Sequence, residues 1–502
     1  MISENFSIKH IFGLKIRDLR LSRGLSFQEL SEKTGLSISY LSEIEKGKKY
    51  PKGDKIMQLA EAFGVTYDEL VSLKVSKKLQ PVINLLNSNF FKEFPLDTFG
   101  LDPQKVIELI TVAPEKINSF INAIQVISQQ YEMRQEQFNH AALRSYQEMH
   151  DNYFGEIEDS TAKFRTKHKI DSTIISTATL RSLLEAESDL EIDTESLNGN
   201  EALRHVRSLT LIEKKMFLLN KGLTEAQERF LIAREIGFTC LKLKDRPKET
   251  PPQQDYNFET VLNNYKASYF AAALLLPEKE VVADVKSFAQ LDTWEGVKLL
   301  DFLTKYKATP EMLVQRLTNI LPKYSGIKNL FFLRFLGTDD FSSYELTKEL
   351  HLSKKHNPHA NFLNEHYCRR WISIGLIKEL RSQHQINGSS DIIADAQISR
   401  YHGTKDEYLC LTIAFPNVSN SAESMSVTIG CYIDDSLRKR IKFLNDPSIK
   451  VKVVNTTCER CAMTDCGDRI APPLQVQMEG KKQNILNELN KVAEELKPTS
   501  NG

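Results

Sequence analysis

Apolar residues recur at helical spacing in the first part of the chain and are separated by short polar turns. A stripe from Ile11 to Leu19 predicts a first helix, and Ser26 and Glu29 match a capping box that opens a second helix at about 27–34. Gly35 and later glycines stand where helices commonly end in a left-handed residue. Residues 8–72 are therefore predicted to form five short helices, the second and third joined by a tight turn.

The hydrophobic pattern changes several times after residue 72. Residues 73–165 are predicted to be a helical connector that ends in a long periodic segment from Ala113 to Glu158. Residues 166–325 mix strand-like runs with apolar helical segments, and residues 326–477 are rich in β-type runs around one helix near Cys368–Leu380. A last amphipathic helix is expected at about 480–497, within a C-terminal segment 478–502. The predicted fold class is α+β multidomain, with an all-α N-terminal module, a helical connector and two α+β domains.

Composition and charge then narrow the possible functions. The 502 residues carry 66 Lys and Arg against 66 Asp and Glu, so any nucleic-acid binding must come from a local basic patch. No apolar stretch approaches the roughly 18 residues of a membrane span, and the N-terminal residues lack the apolar core of a secretory signal. Of the 7 cysteines, Cys458, Cys461 and Cys466 lie close together, which suits metal ligation better than disulfides. We expect a cytoplasmic protein that does not associate with membranes.

The segment around Gly35 resembles the helix-turn-helix of the phage-repressor and Cro type, the XRE family. Its sequence is GLSFQELSEKTGLSISYLSEIEKGKKYPK, followed by LAEAFGVTYDEL. The resemblance implies that the helix opened by Ser37 enters the major groove of double-stranded DNA, and that the chain binds as a homodimer.

The same resemblance implies which side chains contact DNA. Hydroxyl groups at the start of the third helix can exchange hydrogen bonds with base edges, and the candidates are Ser37, Ser39, Tyr40 and Ser42. Positive charges that follow the helix can neutralise phosphates, and the candidates are Lys46, Lys48, Lys49 and Lys52. Phe27 stands where many family members have Gln, so Gln28 is the candidate for the missing amide contact.

Two apolar segments, RFLIAREIGFTCL and YKASYFAAALLLP, resemble the metal-binding helices of ImmA/IrrE-type metallopeptidases. That family needs a His-Glu-x-x-His motif and a later carboxylate to bind zinc. The matching positions here are Arg234, Phe238 and Lys266, which do not supply those ligands. Glu235 is present but has no zinc-bound water to activate. The resemblance implies a degenerate peptidase-like domain without peptidase activity, and two unrelated core helices are the alternative.

The C-terminal cysteines are a candidate metal site. Cys458, Cys461 and Cys466 lie in CERCAMTDCGDRIAPP, after a strand-like run, and thiolates at this spacing can share one metal centre. A four-thiolate site needs one more ligand, for which Cys431 and Cys368 are candidates; an open position or an Asp is the alternative. Three interpretations stay open: an iron–sulfur cluster, structural zinc, and free cysteines in a turn.

The order of these segments resembles the short-chain fatty acyl transcriptional regulators. The matching stretches are AALRSYQEMHDNYF, AREIGF, YFAAALLLP, LNEHYCRRWISIGLI and CERCAMTDCGDRIAPP. The resemblance implies control of acyl or carbon metabolism genes, binding of a short-chain acyl-CoA and, in some members, an iron–sulfur cluster on the C-terminal cysteines. Arg369, Arg370 and Trp371 are candidates to hold phosphates and stack on adenine, although the start of an amphipathic helix is the alternative.

These observations predict a DNA-binding transcriptional regulator that senses a short-chain acyl-CoA. The first alternative is a DNA-bound regulator or scaffold with structural zinc and no small ligand. The second is an active metallopeptidase, which Arg234, Phe238 and Lys266 disfavour. The long periodic segment at 113–158 is the expected coupler between ligand binding and DNA binding.

Overall fold

The computed structural model describes residues 8–72, 135–254, 256–338, 343–352, 365–387, 391–417, 420 and 423–495. The chain divides by its internal contacts into two units. The first unit contains Met1–Ala142 and Asn257–Glu259, and the second contains Leu143–Tyr256 and Thr260–Gly502. The second unit therefore begins at Leu143, before the boundary expected at residue 165, and it includes both predicted α+β domains.

The first unit contains the five short helices predicted from the apolar pattern. They are α1 (Ile8–Ser22), α2 (Phe27–Thr34), α3 (Ile38–Glu45), α4 (Gly53–Phe63) and α5 (Tyr67–Val71). The capping box is present, because Ser26 Oγ accepts from the Glu29 N–H and Glu29 accepts from the Ser26 N–H. Gly35 ends α2 with φ of 69°, a conformation that glycine adopts without steric cost. One side of each of the first four helices packs into a single core, which includes Ile16, Leu30, Leu41, Ile44, Leu59 and Phe63.

The prediction of one long periodic segment from Ala113 to Glu158 is wrong at its C-terminal end. The part of this segment before residue 135 lies outside the described residues. Helix α6 (Gln135–Met149) stops and α7 (Gly155–Lys167) begins after a turn. Asp151 and Asn152 have positive φ values of 49° and 53° in that turn. Asn152 is buried, and its side chain accepts from Tyr265 Oη at 2.6 Å and donates to Thr318 Oγ1 at 2.9 Å. Because these partners are distant in sequence, local periodicity could not reveal the turn.

A small mixed sheet and several helices follow in the second unit. The sheet has the order β1-β3-β2-β4, in which β1 is parallel to β3 and β2 is antiparallel to both of its neighbours. The elements are α8 (Thr177–Glu187), β1 (Glu191–Asp193), β2 (Ser208–Leu211), β3 (Met216–Leu219), α9 (Glu225–Cys240), β4 (Glu249–Thr250), α10 (Phe258–Leu275), α11 (Glu278–Ala289), α12 (Gly296–Tyr306) and α13 (Pro310–Tyr324). Helices α9 and α10 match the two apolar segments predicted to be helical. They pack closely at Gly237, because a Cβ atom there would lie only 3.0 Å from the Ala267 carbonyl oxygen.

A six-stranded sheet with the order β10-β7-β8-β9-β5-β6 forms the centre of the C-terminal part. Its strands pair in antiparallel fashion except β10 and β7, which are parallel. The elements are β5 (Leu330–Thr338), β6 (Tyr344–His351), α14 (Ile372–Asn387), β7 (Ile393–Tyr401), β8 (Glu407–Pro416), β9 (Glu423–Tyr432), α15 (Asp435–Arg440), β10 (Lys450–Val454) and α16 (Leu474–Glu495). Strands β6 and β7 were not predicted, and α16 begins six residues earlier than the helix expected at about 480.

Helices cover both faces of this sheet. On one face, Ser373 of α14 lies 2.7 Å from Thr428 of β9, measured between the two hydroxyl oxygens. On the other face, Arg334 of β5 donates to Glu311 of α13 at 2.8 Å. Within the described ranges, no helix is long and apolar enough to cross a membrane.

Candidate functional site

The exposed side of α3 carries most of the residues predicted to contact bases. Ser39 is exposed, whereas Tyr40 and Ser42 are half-buried. Ser37 Oγ accepts from the Tyr40 N–H at 3.2 Å, so this hydroxyl caps the helix. Ile38 was not predicted as a site residue, yet its side chain is 45% exposed in the first turn of α3. An exposed isoleucine beside hydroxyl groups can contact a thymine methyl group in the major groove.

The lysines predicted to bind phosphates all lie on the surface directly after α3. Lys46, Lys48, Lys49 and Lys52 are exposed. Lys49 also pairs with Glu43 at 2.7 Å, and its Nζ lies 5.7 Å from the centre of the Tyr40 ring. These lysines form a local basic surface beside α3. A chain with no net charge needs such a surface if it is to bind nucleic acid.

Phe27 has an internal role in this structure. The Arg20 guanidinium lies over the Phe27 ring at 4.2 Å from its centroid. The same guanidinium donates to Glu45 at 2.7 and 2.9 Å and to the Leu25 carbonyl oxygen at 3.0 Å. Arg20 thus ties α1 to the start of α2 and the end of α3. Gln28 is exposed next to this contact, so its amide is available to a ligand.

The three positions that match zinc ligands lie on α9 and α10. Arg234 and Phe238 are buried on α9, and Lys266 is half-buried on α10. Arg234 donates to Thr250 Oγ1 at 2.5 Å, and burial lowers the pKa of its guanidinium to about 10. A guanidinium that stays protonated at neutral pH offers no lone pair to a metal.

Glu235, which the resemblance matches to the glutamate of the peptidase motif, forms an ion pair with Arg246. Its carboxylate is 1% exposed and accepts from the Arg246 guanidinium. Arg246 also lies over the Phe238 ring at 4.3 Å from its centroid. Arg246 was missed in the sequence analysis, because nothing in its local pattern points to a residue eleven positions earlier. Ionic and cation–π contacts therefore occupy the surroundings of Glu235 and Phe238.

Four cysteines from two distant segments line one pocket in the C-terminal part. Cys368 precedes α14, while Cys458, Cys461 and Cys466 follow β10. The pocket encloses about 310 Å³ of empty space, including its open mouth. Its wall also contains Arg369, Arg370, Asn455, Met463, Asp468 and Arg469. We refer to this site as the cysteine pocket.

Hydrogen bonds hold the two cysteine segments together. The Cys368 N–H donates to the Thr456 carbonyl oxygen at 3.1 Å, and the Cys458 N–H donates to the His366 carbonyl oxygen at 2.8 Å. Arg469 donates to the carbonyl oxygens of Cys458 at 2.8 Å and Cys461 at 3.0 Å. The backbone of the cysteine loop is therefore ordered by its own arginine.

The structure distinguishes the two candidates for the fourth cysteine. Cys368 lines the cysteine pocket, and burial raises the pKa of its thiol. Cys431 lies in β9 opposite Leu330 and Leu409 and is not among the residues that line the pocket. Burial raises the pKa of Cys431 to about 12, which keeps that thiol protonated. Cys368 is the cysteine that the fold brings to the other three.

The predicted CoA-binding residues are separated by the fold. Arg369 and Arg370 line the cysteine pocket, but Trp371 is 5% exposed and packs in the domain core near Phe335 and Tyr367. The prediction that Trp371 stacks on a ligand is therefore wrong, since the sheet and α14 cover its ring. Arg369 lies over the Tyr344 ring at 4.4 Å. Arg370 Nε is buried and has no hydrogen-bond partner among the described residues.

The donor atoms of the cysteine pocket suit a thiolate-ligated centre. Four cysteines are among the residues that line the pocket, and the arginines beside them can balance the negative charge of thiolates. In the part of the chain that the structure describes, no three His, Cys, Asp or Glu side chains already converge tightly enough to hold a metal ion. The pocket thus brings together residues of the required type, without a preformed metal-binding geometry among the described residues.

Two regions of the chain, the N-terminal helices and the region that contains α9 and α10, match known protein families. The family model described as Helix-turn-helix matches residues 16–70, and the model described as IrrE N-terminal-like domain matches residues 189–318. A cryptic phage CTXphi transcriptional repressor, RstR of Vibrio cholerae, is 35% identical over 81 residues, which are 16% of this chain and 73% of the repressor. The HTH-type transcriptional regulator y4dJ of Sinorhizobium fredii is 34% identical over 65 residues, 13% of this chain and 84% of its own.

A solved structure described as a Mycobacterium tuberculosis transcriptional regulator aligns with 66% of this chain and 92% of its own, at 16% identity and a TM-score of 0.46. That score is too low to establish a shared fold. RstR and y4dJ are each matched over more than two thirds of their own length, and the residues matched by the Helix-turn-helix model include α3 and the lysines after it. The chain belongs to the XRE-type helix-turn-helix family of DNA-binding transcriptional regulators, and it carries an IrrE N-terminal-like domain.

Proposed function

We propose that this regulator uses the cysteine pocket to hold an iron–sulfur cluster and that the pocket's state controls DNA binding. The proposal rests on one observation: Cys368 lines the same pocket as Cys458, Cys461 and Cys466, and arginines line that pocket too. Cys368 lies about 90 residues before the other three in the chain, so the fold itself brings the set together.

The residues of the pocket have separable roles in this proposal. The four cysteines would supply thiolate ligands, and the cluster would add a redox-active centre that oxidants can damage. Arg369, Arg370 and Arg469 place positive charge beside the thiolates, which favours their deprotonated form. Burial raises the pKa of the Cys368 thiol, so its deprotonation depends on these charges and on the bound metal.

Metal analysis of matched variants tests the proposal. The full chain, purified without oxygen, is assayed for iron, acid-labile sulfide and zinc. We expect iron and sulfide in the wild type, a loss of most of both in Cys368→Ser, and no change in Cys431→Ser. Both variants replace a buried thiol, so the comparison separates ligation from general damage. Stoichiometric zinc without sulfide would instead support the structural-zinc scaffold, and equal metal in both variants would exclude Cys368 as a ligand.

A short-chain acyl-CoA is the small ligand proposed for this regulator, together with control of acyl or carbon metabolism genes. The support is the resemblance to short-chain fatty acyl regulators and one local feature, the buried Nε of Arg370 at the pocket wall. Arginine nitrogens bind phosphate oxygens with charge-assisted hydrogen bonds. Calorimetric titration with acetyl-CoA, propionyl-CoA and free CoA tests the assignment, and we expect Arg370→Gln to weaken binding at least tenfold. No binding by any of the three would refute it.

The remaining parts of the proposal concern assembly, location and chemistry. The chain acts as a homodimer on DNA in the cytoplasm, as the XRE resemblance implies.

The chain has no peptidase activity, because Arg234, Phe238 and Lys266 occupy the zinc-ligand positions and Arg246 binds Glu235. Incubation of the purified chain with zinc and a generic peptide library tests the last point, and zinc-dependent cleavage would contradict it.

A further inference from the structure

The C-terminal helix α16 carries a row of exposed apolar side chains. From Gln477 to Val492, every residue of this helix is exposed. The large apolar side chains among the described residues of α16 include Leu474, Met478, Ile485, Leu486, Leu489 and Val492, with exposed fractions between 43% and 65%. The helix has 22 residues, and Gly480 lies in its interior. An isolated helix of this length gains little stability in water unless an apolar face packs against a partner.

The spacing of these residues indicates what kind of partner fits. Met478, Ile485 and Val492 are each seven residues apart, and Leu489 lies four residues after Ile485 and three before Val492. Lys482 continues the series of alternating steps of four and three residues. This mean repeat of 3.5 residues keeps Met478, Ile485, Leu489 and Val492 on one seam with Lys482 among them, which is the pattern of a coiled coil. Leu474 and Leu486 flank the seam. Packing on a globular core favours a broader stripe with a 3.6-residue repeat.

We propose that α16 pairs with α16 of a second copy of this chain in an antiparallel two-stranded coiled coil. At 1.5 Å per residue the helix is about 33 Å long, enough for roughly three heptads. Its start is anchored to the folded domain, because the Gln475 N–H donates to the Glu459 carbonyl oxygen at 3.1 Å. The exposed seam then projects from a fixed base.

Charges beside the seam determine the direction of pairing. Lys481 and Glu488 occupy the same heptad position, directly before Lys482 and Leu489. Like positions face each other in an antiparallel pair, so Lys481 of one copy lies opposite Glu488 of the other, twice by symmetry. In a parallel pair the flanking neighbours of these two residues would be Leu486 and Ala493, which offer no charge. This interface does not depend on the metal or ligand proposed for the cysteine pocket.

Analytical ultracentrifugation of the full chain over a concentration series tests the interface. We expect a dimer of twice 57.4 kDa for the wild type. We expect Ile485→Lys with Leu489→Lys to raise the dimer dissociation constant at least tenfold. Asn487→Lys with Asn490→Lys adds the same charge on the outer side of α16 and is expected to leave the dissociation constant unchanged. A monomeric wild type, or a seam variant that dimerises like the control, would overturn the proposal.

A charge exchange tests the direction of pairing. Lys481→Glu and Glu488→Lys are each expected to weaken the dimer severalfold, because each places like charges across the antiparallel seam. The chain that carries both changes restores opposite charges and should regain the wild-type dissociation constant. Additive weakening in the double variant would rule out the antiparallel pair. Iron content measured on the same samples distinguishes a failure of this interface from a failure of the proposed cysteine site.

Discussion

The Arg20 side chain contacts three parts of the first unit at once. Its guanidinium pairs with Glu45, covers Phe27 and donates to the Leu25 carbonyl oxygen. Both charged side chains of the ion pair are at most 10% exposed, so removal of one partner leaves the other charge buried. The same contacts give the aromatic ring at position 27 a packing role in place of an amide that reads DNA.

Replacement of Arg20 should therefore destabilise the first unit. We expect Arg20→Ala to lower its free energy of unfolding by about 3–5 kcal/mol, the usual cost of breaking a buried ion pair on one side. Urea unfolding of the full chain, followed by far-ultraviolet circular dichroism, measures the effect in the transition of this unit. Arg23→Ala removes an exposed arginine directly after α1, whose contact is a more distant one at 5.6 Å from the centre of the Phe63 ring, and serves as the control. Equal losses in the two variants would contradict the role assigned to Arg20.

The lysines after α3 are expected to act on DNA affinity through charge alone. Lys48→Ala and Lys52→Ala should each weaken binding to all sequences by a similar factor. Each should also reduce the slope of log K against log salt concentration by about 1, because one phosphate contact is lost. Fluorescence anisotropy at several salt concentrations measures both quantities. Lys163→Ala, at an exposed position of α7, is the control of equal charge, and a slope unchanged by either α3-side variant would refute phosphate contact.

Helix α9 lies in the IrrE N-terminal-like region, and the contacts of its buried charged residue stabilise the fold. Glu235 is buried and bound by Arg246, which also covers Phe238. We expect Glu235→Ala to lower the free energy of unfolding of the second unit by about 3–5 kcal/mol, because Arg246 is left without its carboxylate. Thermal unfolding of the two variants measures this. Glu225→Ala removes a residue of the same helix that makes an exposed pair with Lys307, and it should cost less than about 1 kcal/mol. A loss of equal size in both variants would contradict the role assigned to Glu235.

Elements whose signals are local were predictable from the sequence, and those set by distant contacts were not. The capping box at Ser26 and the left-handed Gly35 mark α2 within a few residues. The turn at Asn152 depends on Tyr265 and Thr318, which lie more than 100 residues away. Trp371 was placed at a ligand site because it follows two arginines, but the sheet buries it. Likewise, cysteine spacing identified three members of the pocket, and only the fold selected Cys368 over Cys431.

At the scale of the whole molecule, helix α6 crosses the division between the two units, and so does the first turn of α10. Helix α6 runs from Gln135 to Met149, and the division between the units falls after Ala142. A signal from the cysteine pocket to α3 must change the relative populations of two states of the protein, and a helix whose residues belong to both units offers a continuous path for it. A useful switch needs a difference in DNA affinity of about 10–100-fold between the two states of the pocket, or about 1.4–2.7 kcal/mol.

Ala142→Pro tests this coupling. Proline removes one backbone donor and clashes with the preceding turn, which interrupts a helix at a cost of about 3 kcal/mol. We expect the variant to keep its iron content and its DNA affinity in the metal-free state within about twofold. The change in DNA affinity between cluster-loaded and metal-free protein should fall from at least tenfold to less than twofold, measured by anisotropy on matched anaerobic samples. Ala142→Ser keeps the helix and should retain the wild-type response. If the proline variant responds as strongly as the serine variant, α6 does not carry the signal, and another connection between the units must do so.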